Sequence, residues 1–204
     1  MMSGSTPEAS SHDAPTILQA LKAVGELLAA EGEAAGIVIV GGTALILQGF
    51  VERLTEDVDV IAITHEPRDA SGSRIGRAEP LPQPLTTAIA RVARDFNLPE
   101  TWMNSTVTAQ WDQGLPPGFE ERIHWQKYGG LVVGVAHRRD LIFLKLYAAV
   151  DSEGPESVHY QDLLALRPSH EELEGAATWV RAQDTSVEFA SMLDEVVSHV
   201  RRDR

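Results

Sequence analysis

Two aspartates separated by one residue are the best candidates for chemistry in this sequence. Asp57 and Asp59 lie in the segment DVDVIAI, where acidic and aliphatic residues alternate. In a strand, a period of two places both carboxylates on one face and the aliphatic side chains on the other. Neighbouring carboxylate oxygens bind hard divalent cations, and Mg²⁺ is the natural candidate. The pattern therefore predicts a metal site, although a water-exposed strand end would also tolerate both charges.

A pair of glycines precedes the aspartates along the chain. Gly41 and Gly42 follow the β-branched run of residues 37–40 and open a short predicted helix over residues 43–48. A glycine turn before a helix lets backbone amides approach a phosphate group closely. Tight turns of other α/β proteins use the same dipeptide, so the glycines alone do not establish a phosphate site.

The remaining periodicity predicts the elements that must position these residues. Strands are expected at 37–40 and 57–63, and a hairpin at 122–127 and 131–136. Helices are expected at 13–33, 43–48, 85–96, 140–151, 156–166, 169–182 and 186–202. Residues 64–84 are predicted to be a surface loop, and 98–120 receive no element. Two capping boxes are expected, Ser169 with Glu172 and Thr185 with Glu188.

These elements indicate an α/β (α+β) fold, with a small mixed sheet and a helical C-terminal part. We expect a disordered tail at residues 1–12, a core at 13–137, and a C-terminal helical part at 138–204 packed on that core.

The composition of the 204 residues excludes several classes of protein. There are no cysteines, so disulfide and thiolate chemistry are excluded. No signal peptide or membrane-spanning stretch is recognisable, which favours a cytoplasmic protein and no membrane partner. With 17 basic and 30 acidic residues the formal net charge is −13, so nucleic acid would need a local basic patch.

The spacing of the glycines and aspartates resembles the nucleotidyltransferase superfamily. Its signature is filled here by Val40, Gly41, Gly42, Asp57, Val58, Asp59 and Val60. The surrounding string VGGTALILQG, followed by Arg53-Leu54-Thr55, is similar to minimal bacterial nucleotidyltransferases related to AbiEii toxins of toxin-antitoxin systems. This resemblance implies the minimal nucleotidyltransferase fold, Mg²⁺ on Asp57 and Asp59, and a nucleotide site at Gly41, Gly42, Thr43, Arg53 and Thr55.

The resemblance extends to the C-terminal half, through DLIFLKLYAAVDSEGPESVHYQDLLAL. It implies that Lys145 holds nucleotide phosphates and that Asp162 supports the active site. Enzymes of this superfamily often use a third carboxylate, for which Asp112, Asp140 and Asp162 are candidates. Asp162 is favoured, either in that role or in orienting Lys145.

Each of these residues also has an ordinary structural interpretation. Lys145 could be a helix lysine whose stem covers apolar surface, and His159 with Asp162 could be a pair on a helix surface. Arg53 could be a solvated loop charge and Thr55 a turn-capping hydroxyl. Trp102 and Trp111 could stack on a base, but tryptophans more often belong to a core. The histidines show no zinc spacing.

The leading hypothesis is an Mg²⁺-dependent nucleotidyltransferase that moves a nucleoside monophosphate from an NTP to an unidentified acceptor. The resemblance implies RNA, including tRNA ends, or protein as acceptor, and a toxin role beside a cognate antitoxin. The alternative is a non-catalytic protein of the same fold that binds a nucleotide or a partner protein.

Overall fold

The computed structural model describes residues 12–64, 74–152 and 154–203. Its elements follow in the order α1 (Ala14–Ala30), β1 (Ala35–Ile39), α2 (Gly41–Leu47), β2 (Val58–Thr64), β3 (Ile75–Arg77), α3 (Gln83–Phe96), β4 (Met103–Asn104), α4 (Ala109–Gln113), α5 (Phe119–Arg122), β5 (His124–Tyr128), β6 (Leu131–Val135), α6 (Arg138–Asp151), α7 (Val158–Ala165), α8 (His170–Gln183) and α9 (Val187–Asp203). Single 3₁₀ turns lie at Thr106–Thr108 and Gly154–Glu156. This order confirms the predicted α+β class with a helical C-terminal part.

Within the described residues the strands form one mixed sheet of six strands. The order is β3-β2-β1-β6-β5, and β4 pairs in addition with β2. β1 runs parallel to β6 and antiparallel to β2. On the other edge of β2, β3 pairs with its C-terminal end and β4 pairs with Val58 and Asp59. β4 is therefore the strand that lies beside the aspartate pair.

The sheet separates two apolar cores, and this decides which way the aspartates face. Val58 and Val60 belong to the core under α1 and α3, whereas Ile61 belongs to the core under α6 to α9. Because side chains alternate along a strand, Asp59 shares the face of Ile61, and Asp57 lies directly before the strand. The Asp59 carboxylate therefore lies on the side of the sheet that the C-terminal helices cover.

Local side-chain caps explain where two of the helices begin. Asp13 precedes α1, and its carboxylate accepts a hydrogen bond of 3.0 Å from the backbone N–H of Thr16. Ser169 precedes α8 and forms the predicted capping box with Glu172. Each cap satisfies an amide of the first helical turn that has no partner inside the helix.

The start of α9 differs from its prediction. The sequence places a capping box at Thr185 and Glu188, but α9 begins at Val187. Ser186 provides the cap, since its Oγ accepts a hydrogen bond of 3.3 Å from the backbone N–H of Phe189. A hydroxyl occurs at both positions, and the cap lies one residue later than the pattern predicts.

Other boundaries also differ from the predicted ones. α1 ends at Ala30 rather than near residue 33, and the predicted loop of 64–84 contains β3. Segment 98–120, which received no element, contains β4, a 3₁₀ turn, α4 and the start of α5. Short elements of this kind depend on pairing with the rest of the fold, which local sequence does not report.

The predicted tail lies outside the described residues except for His12, which forms a β-bridge with Thr55. Residues 65–73 of the predicted loop also lie outside them. The division into a core of 13–137 and a part of 138–204 stays a prediction. None of the helices in the described part of the chain is long and apolar enough to cross a membrane.

Candidate active site

The backbone at the first aspartate is held in place by two threonines of the predicted nucleotide site. Asp57 comes directly before β2, and its carbonyl oxygen accepts a hydrogen bond of 2.6 Å from Oγ1 of Thr43. Oγ1 of Thr55 donates to the same carbonyl at 3.4 Å. These bonds tie the start of α2 and the loop before β2 to the point where the carboxylates emerge.

Gly41 and Gly42 lie against the predicted site residues, and their missing side chains make this approach possible. A Cβ atom on Gly41 would lie 2.1 Å from Oδ2 of Asp59. A Cβ atom on Gly42 would lie 2.8 Å from Nη2 of Arg53 and 2.9 Å from Oγ1 of Thr55. Glycine is therefore required by close packing, in addition to the left-handed φ of +68° at Gly41.

A buried aspartate gathers two cations on the helical side of the site. Asp162 is 1% exposed and accepts hydrogen bonds from Nε of Arg53 at 3.0 Å and from Nη2 at 2.7 Å. Nζ of Lys145 lies 2.7 Å from Oδ2 of the same carboxylate. Nδ1 of His159 lies 3.4 Å from Nζ of Lys145. Lys145 is thus not a snorkelling surface lysine, since it is buried and paired.

The charges of the acidic pair and of the cluster around Asp162 affect each other's pKa values. Burial, followed by the nearby charge of Asp57, raises the pKa of Asp59 to about 6, and Lys145 opposes this shift. Burial alone would raise the pKa of Asp162, but the hydrogen bond from Arg53 and the charge of Lys145 hold it below its usual value. Burial and the charge of Lys145 lower the pKa of His159. The site thus combines an acidic pair, Asp57 and Asp59, with a cationic cluster, which is Arg53 and Lys145 around Asp162.

A cavity of about 360 Å³ brings one aspartate of the acidic pair together with a buried cation. Asp59, Lys145 and His159 line one part of it. Apolar side chains from β2 and α6 line much of the rest, including Ile61 and Leu144. A cavity with a few convergent polar groups and a largely apolar wall is typical of small-molecule sites.

The carboxylate oxygens of Asp57 and Asp59 are suitable ligands for a divalent cation. Among the described residues, Oδ1 of Asp57 and the carboxylate of Asp59 receive no hydrogen bond. The mutual repulsion that raises the pKa of Asp59 is relieved when a cation lies between the two carboxylates. No cluster of three or more acidic or histidine side chains with metal-binding geometry occurs in the described ranges, so the pair would be the protein's ligand set there.

The three candidates for a third carboxylate are all paired with cations. Asp162 contacts Arg53 and Lys145, as described above. Asp140 is buried and accepts a hydrogen bond of 3.1 Å from Nε of Arg122. Asp112 lies on the surface against Arg77, with Oδ2 2.6 Å from Nη1.

One residue beside the acidic pair was missed by the sequence analysis. Asn104 belongs to β4, and its Nδ2 donates a hydrogen bond of 2.8 Å to Oδ2 of Asp57. It lies in the segment of 98–120 to which no element was assigned. The only local signal is a polar side chain directly after the buried residues Trp102 and Met103, which is too weak to place it at a site.

The two tryptophans proposed for base stacking do not line the cavity. Trp102 is 1% exposed, and its Nε1 donates a hydrogen bond of 3.2 Å to the carbonyl of Ile89. It is a core residue, so the stacking alternative is wrong for it. Trp111 is half-buried and packs against the core of the C-terminal helices.

The α+β fold, the glycine pair and the two aspartates agree with the class of nucleotidyltransferases that the sequence resembles. The chain belongs to the family described as nucleotidyltransferase of unknown function (DUF6036), which matches residues 16–165, about three quarters of the sequence. The match includes Gly41, Asp57, Asp59, Lys145 and Asp162. Curated proteins and solved structures give no match.

Proposed function

We propose that this protein is an Mg²⁺-dependent nucleotidyltransferase that moves a nucleoside monophosphate from an NTP to an acceptor. The observation that carries the proposal is the cavity that Asp59 and Lys145 line together. It offers the carboxylate of Asp59, which lies close to Asp57, for a metal ion and the ammonium group of Lys145 for phosphate groups. A nucleoside triphosphate with its metal requires both kinds of group.

In the proposed reaction the oxygen of an acceptor hydroxyl attacks the α-phosphorus of the NTP, a new phosphorus–oxygen bond forms, and the hydroxyl proton passes to solvent. The bond between that phosphorus and the oxygen that bridges to the β-phosphorus breaks, and pyrophosphate leaves. Asp57 and Asp59 would hold the Mg²⁺ ion, which would supply positive charge to the phosphates. Lys145 contacts the phosphates, and Arg53 adds positive charge at the loop before β2. In-line positioning and charge stabilisation are what the protein must supply for this class of reaction.

Asp162 acts in this proposal as the residue that positions both cations. Its carboxylate accepts two hydrogen bonds from Arg53 and contacts Lys145 at 2.7 Å, so both side chains have a fixed partner. With two cations on one carboxylate the cluster keeps a net positive charge. That charge is available to a triphosphate.

The acceptor and the biological role are the finer part of the proposal. The similarity of the Gly-Gly and Arg-x-Thr segments to AbiEii-related enzymes supports RNA, including tRNA ends, or protein as acceptor, and a toxin controlled by an antitoxin. Many cations of the described residues are already engaged with carboxylates: Arg53, Arg77, Arg122, Arg138, Lys145, Arg181 and Arg201. An RNA acceptor would therefore have to be held by the remaining lysines and arginines of a chain whose formal net charge is −13.

Label transfer tests the proposed function. The full-length protein is incubated with Mg²⁺ and each of the four α-³²P-labelled NTPs, with total tRNA or with a protein mixture, and the products are separated on gels. We expect label from at least one NTP to move to a macromolecule. Asp59→Ala should abolish the transfer and keep the circular dichroism spectrum. Equal transfer by this variant would contradict the proposal.

The second candidate is a non-catalytic protein that binds a nucleotide or a partner. The observation that favours it is that the described residues place only two carboxylates together. The same experiment distinguishes the two functions. Nucleotide binding without label transfer to tRNA or protein would favour the binding protein.

A further inference from the structure

Asn104 lies level with Asp59 on the neighbouring strand. β4 and β2 are parallel, and Asp59 pairs in register with Asn104. Residues paired across neighbouring strands point to the same face of a sheet. Asn104 therefore shares the face of Asp59, on the edge of β2 opposite to β1.

The orientation of the Asn104 amide is determined by its hydrogen bonds. Its Oδ1 accepts from Oγ1 of Thr106 at 2.6 Å and from the backbone N–H of Thr106 at 3.0 Å. The NH₂ group must therefore face the other way, where Nδ2 donates to Oδ2 of Asp57 at 2.8 Å. The reversed amide would place oxygen against oxygen and NH₂ against an N–H donor, which is unfavourable.

We infer that Asn104 is a positioning residue for Asp57, in the place where the sheet could otherwise carry a third carboxylate. The inference rests on the proposed function, because it concerns the same metal site. Asn104 holds Oδ2 of Asp57, which leaves Oδ1 without a hydrogen bond from the described residues and able to bind an ion. Removal of a residue that orients a metal ligand typically lowers the affinity for the metal about 10-fold to 100-fold.

The neutral amide also limits the negative charge of the site. A carboxylate at this position would lie beside the carboxylate of Asp57 and across from Asp59 on the neighbouring strand. The amide donates to Asp57 without adding charge. This accounts for a site in which the described residues bring only two carboxylates together.

Mn²⁺ binding to the nucleotide-free, full-length protein tests the inference, with free Mn²⁺ measured by electron paramagnetic resonance. Asn104→Ala removes the donor, and we expect the Kd to rise about tenfold. Asn104→Asp supplies a ligand in place of the donor, and it should bind Mn²⁺ at least tenfold more tightly than Asn104→Ala. Asp112→Asn, which removes a surface carboxylate paired with Arg77, is the matched control and should bind as the wild type.

The outcomes separate this inference from the proposed function. If the wild type binds Mn²⁺ no better than a variant with both Asp57→Ala and Asp59→Ala, the proposed metal site fails. If the wild type binds Mn²⁺ and the double variant does not, the proposed metal site stands. An unchanged Kd for Mn²⁺ in Asn104→Ala then overturns only the role of Asn104. Binding by Asn104→Asp that is no tighter than by Asn104→Ala also overturns it. Thermal melts verify folding, and Asn104→Leu, which keeps the volume, replaces Asn104→Ala if that variant does not fold.

Discussion

A Cβ atom on Gly41 would lie 2.1 Å from Oδ2 of Asp59, at a residue whose φ is +68°. Gly41→Ala should therefore displace the Asp59 carboxylate in addition to straining the backbone. We expect NTP binding to fall at least tenfold and the free energy of unfolding to fall by more than the roughly 1–2 kcal/mol of a strained backbone alone.

Gly49→Ala is the matched control for this prediction. Gly49 has a φ of +74°, and a Cβ atom there would meet nothing within 4 Å. Gly49→Ala therefore has the same kind of backbone strain as Gly41→Ala but makes no contact with Asp59. Chemical denaturation and nucleotide titration of both variants are the measurements, and equal losses in the two would refute the contact as the cause.

Removal of Asp162 should destabilise the protein more than removal of Lys145. Asp162→Asn leaves Lys145, which is 5% exposed, without its counter-charge. Loss of one partner of a buried ion pair typically lowers the free energy of unfolding by about 3–5 kcal/mol. In Lys145→Met the carboxylate keeps both hydrogen bonds from Arg53, so the cost in stability is smaller. Lys145→Met should instead weaken NTP binding. Urea unfolding with nucleotide titration measures both effects, and the opposite ranking in stability would contradict the assigned network.

The stability of the metal-free protein should depend on pH through Asp59. Its pKa is raised to about 6 from 3.8, so the folded state binds the proton more tightly than the unfolded state. The contribution of Asp59 is then most favourable below pH 3.8 and becomes unfavourable as pH rises through about 6. Asp59→Asn should therefore raise the free energy of unfolding at pH 8 by about 1–3 kcal/mol.

The control for this prediction is Asp112→Asn, measured in the same metal-free buffer at pH 8 and pH 4. The gain of Asp59→Asn over the wild type should shrink towards pH 4, where the wild-type carboxylate is protonated. A gain of the same size at both pH values would mean that the negative charge of Asp59, buried and close to Asp57, is not its cause. Asp112→Asn should show no gain at pH 8.

Filling the cavity should separate nucleotide binding from metal binding. Ala148 lines the cavity from α6, and Ala148→Phe should raise the Kd for the NTP at least tenfold while the Kd for Mn²⁺ stays the same. Ala182→Phe places the same side chain on an exposed position of α8 outside the cavity. An unchanged Kd for the NTP in Ala148→Phe would exclude the cavity as the nucleotide site.

Part of the site could be predicted because its residues are close in the sequence. Asp57 and Asp59 belong to one predicted strand, and a period of two predicts that they lie on one face; in the structure Asp57 directly precedes β2. Gly41 and Gly42 stand at a boundary between a β-branched run and a helix. The long helices were predicted for a similar reason, since their apolar positions repeat over several turns.

The rest of the site depends on contacts between distant segments. Arg53 and Asp162 are 109 residues apart, and only the folded chain shows that they form two hydrogen bonds. A lysine in an apolar helix, such as Lys145, has the same local pattern whether it snorkels or pairs. Asn104 lies in a two-residue strand whose pairing with β2 gives it its position. Local propensity carries no information on such a short strand.

The central claim is that Asp57 and Asp59 hold a metal ion with an NTP in one site, and isothermal titration tests it most directly. The wild type is titrated with each of the four NTPs in Mg²⁺, and the titrations are repeated with both aspartates changed to alanine. We expect binding of at least one NTP to the wild type and loss of that binding in the double variant. No binding to the wild type, or equal binding to both proteins, would contradict the claim.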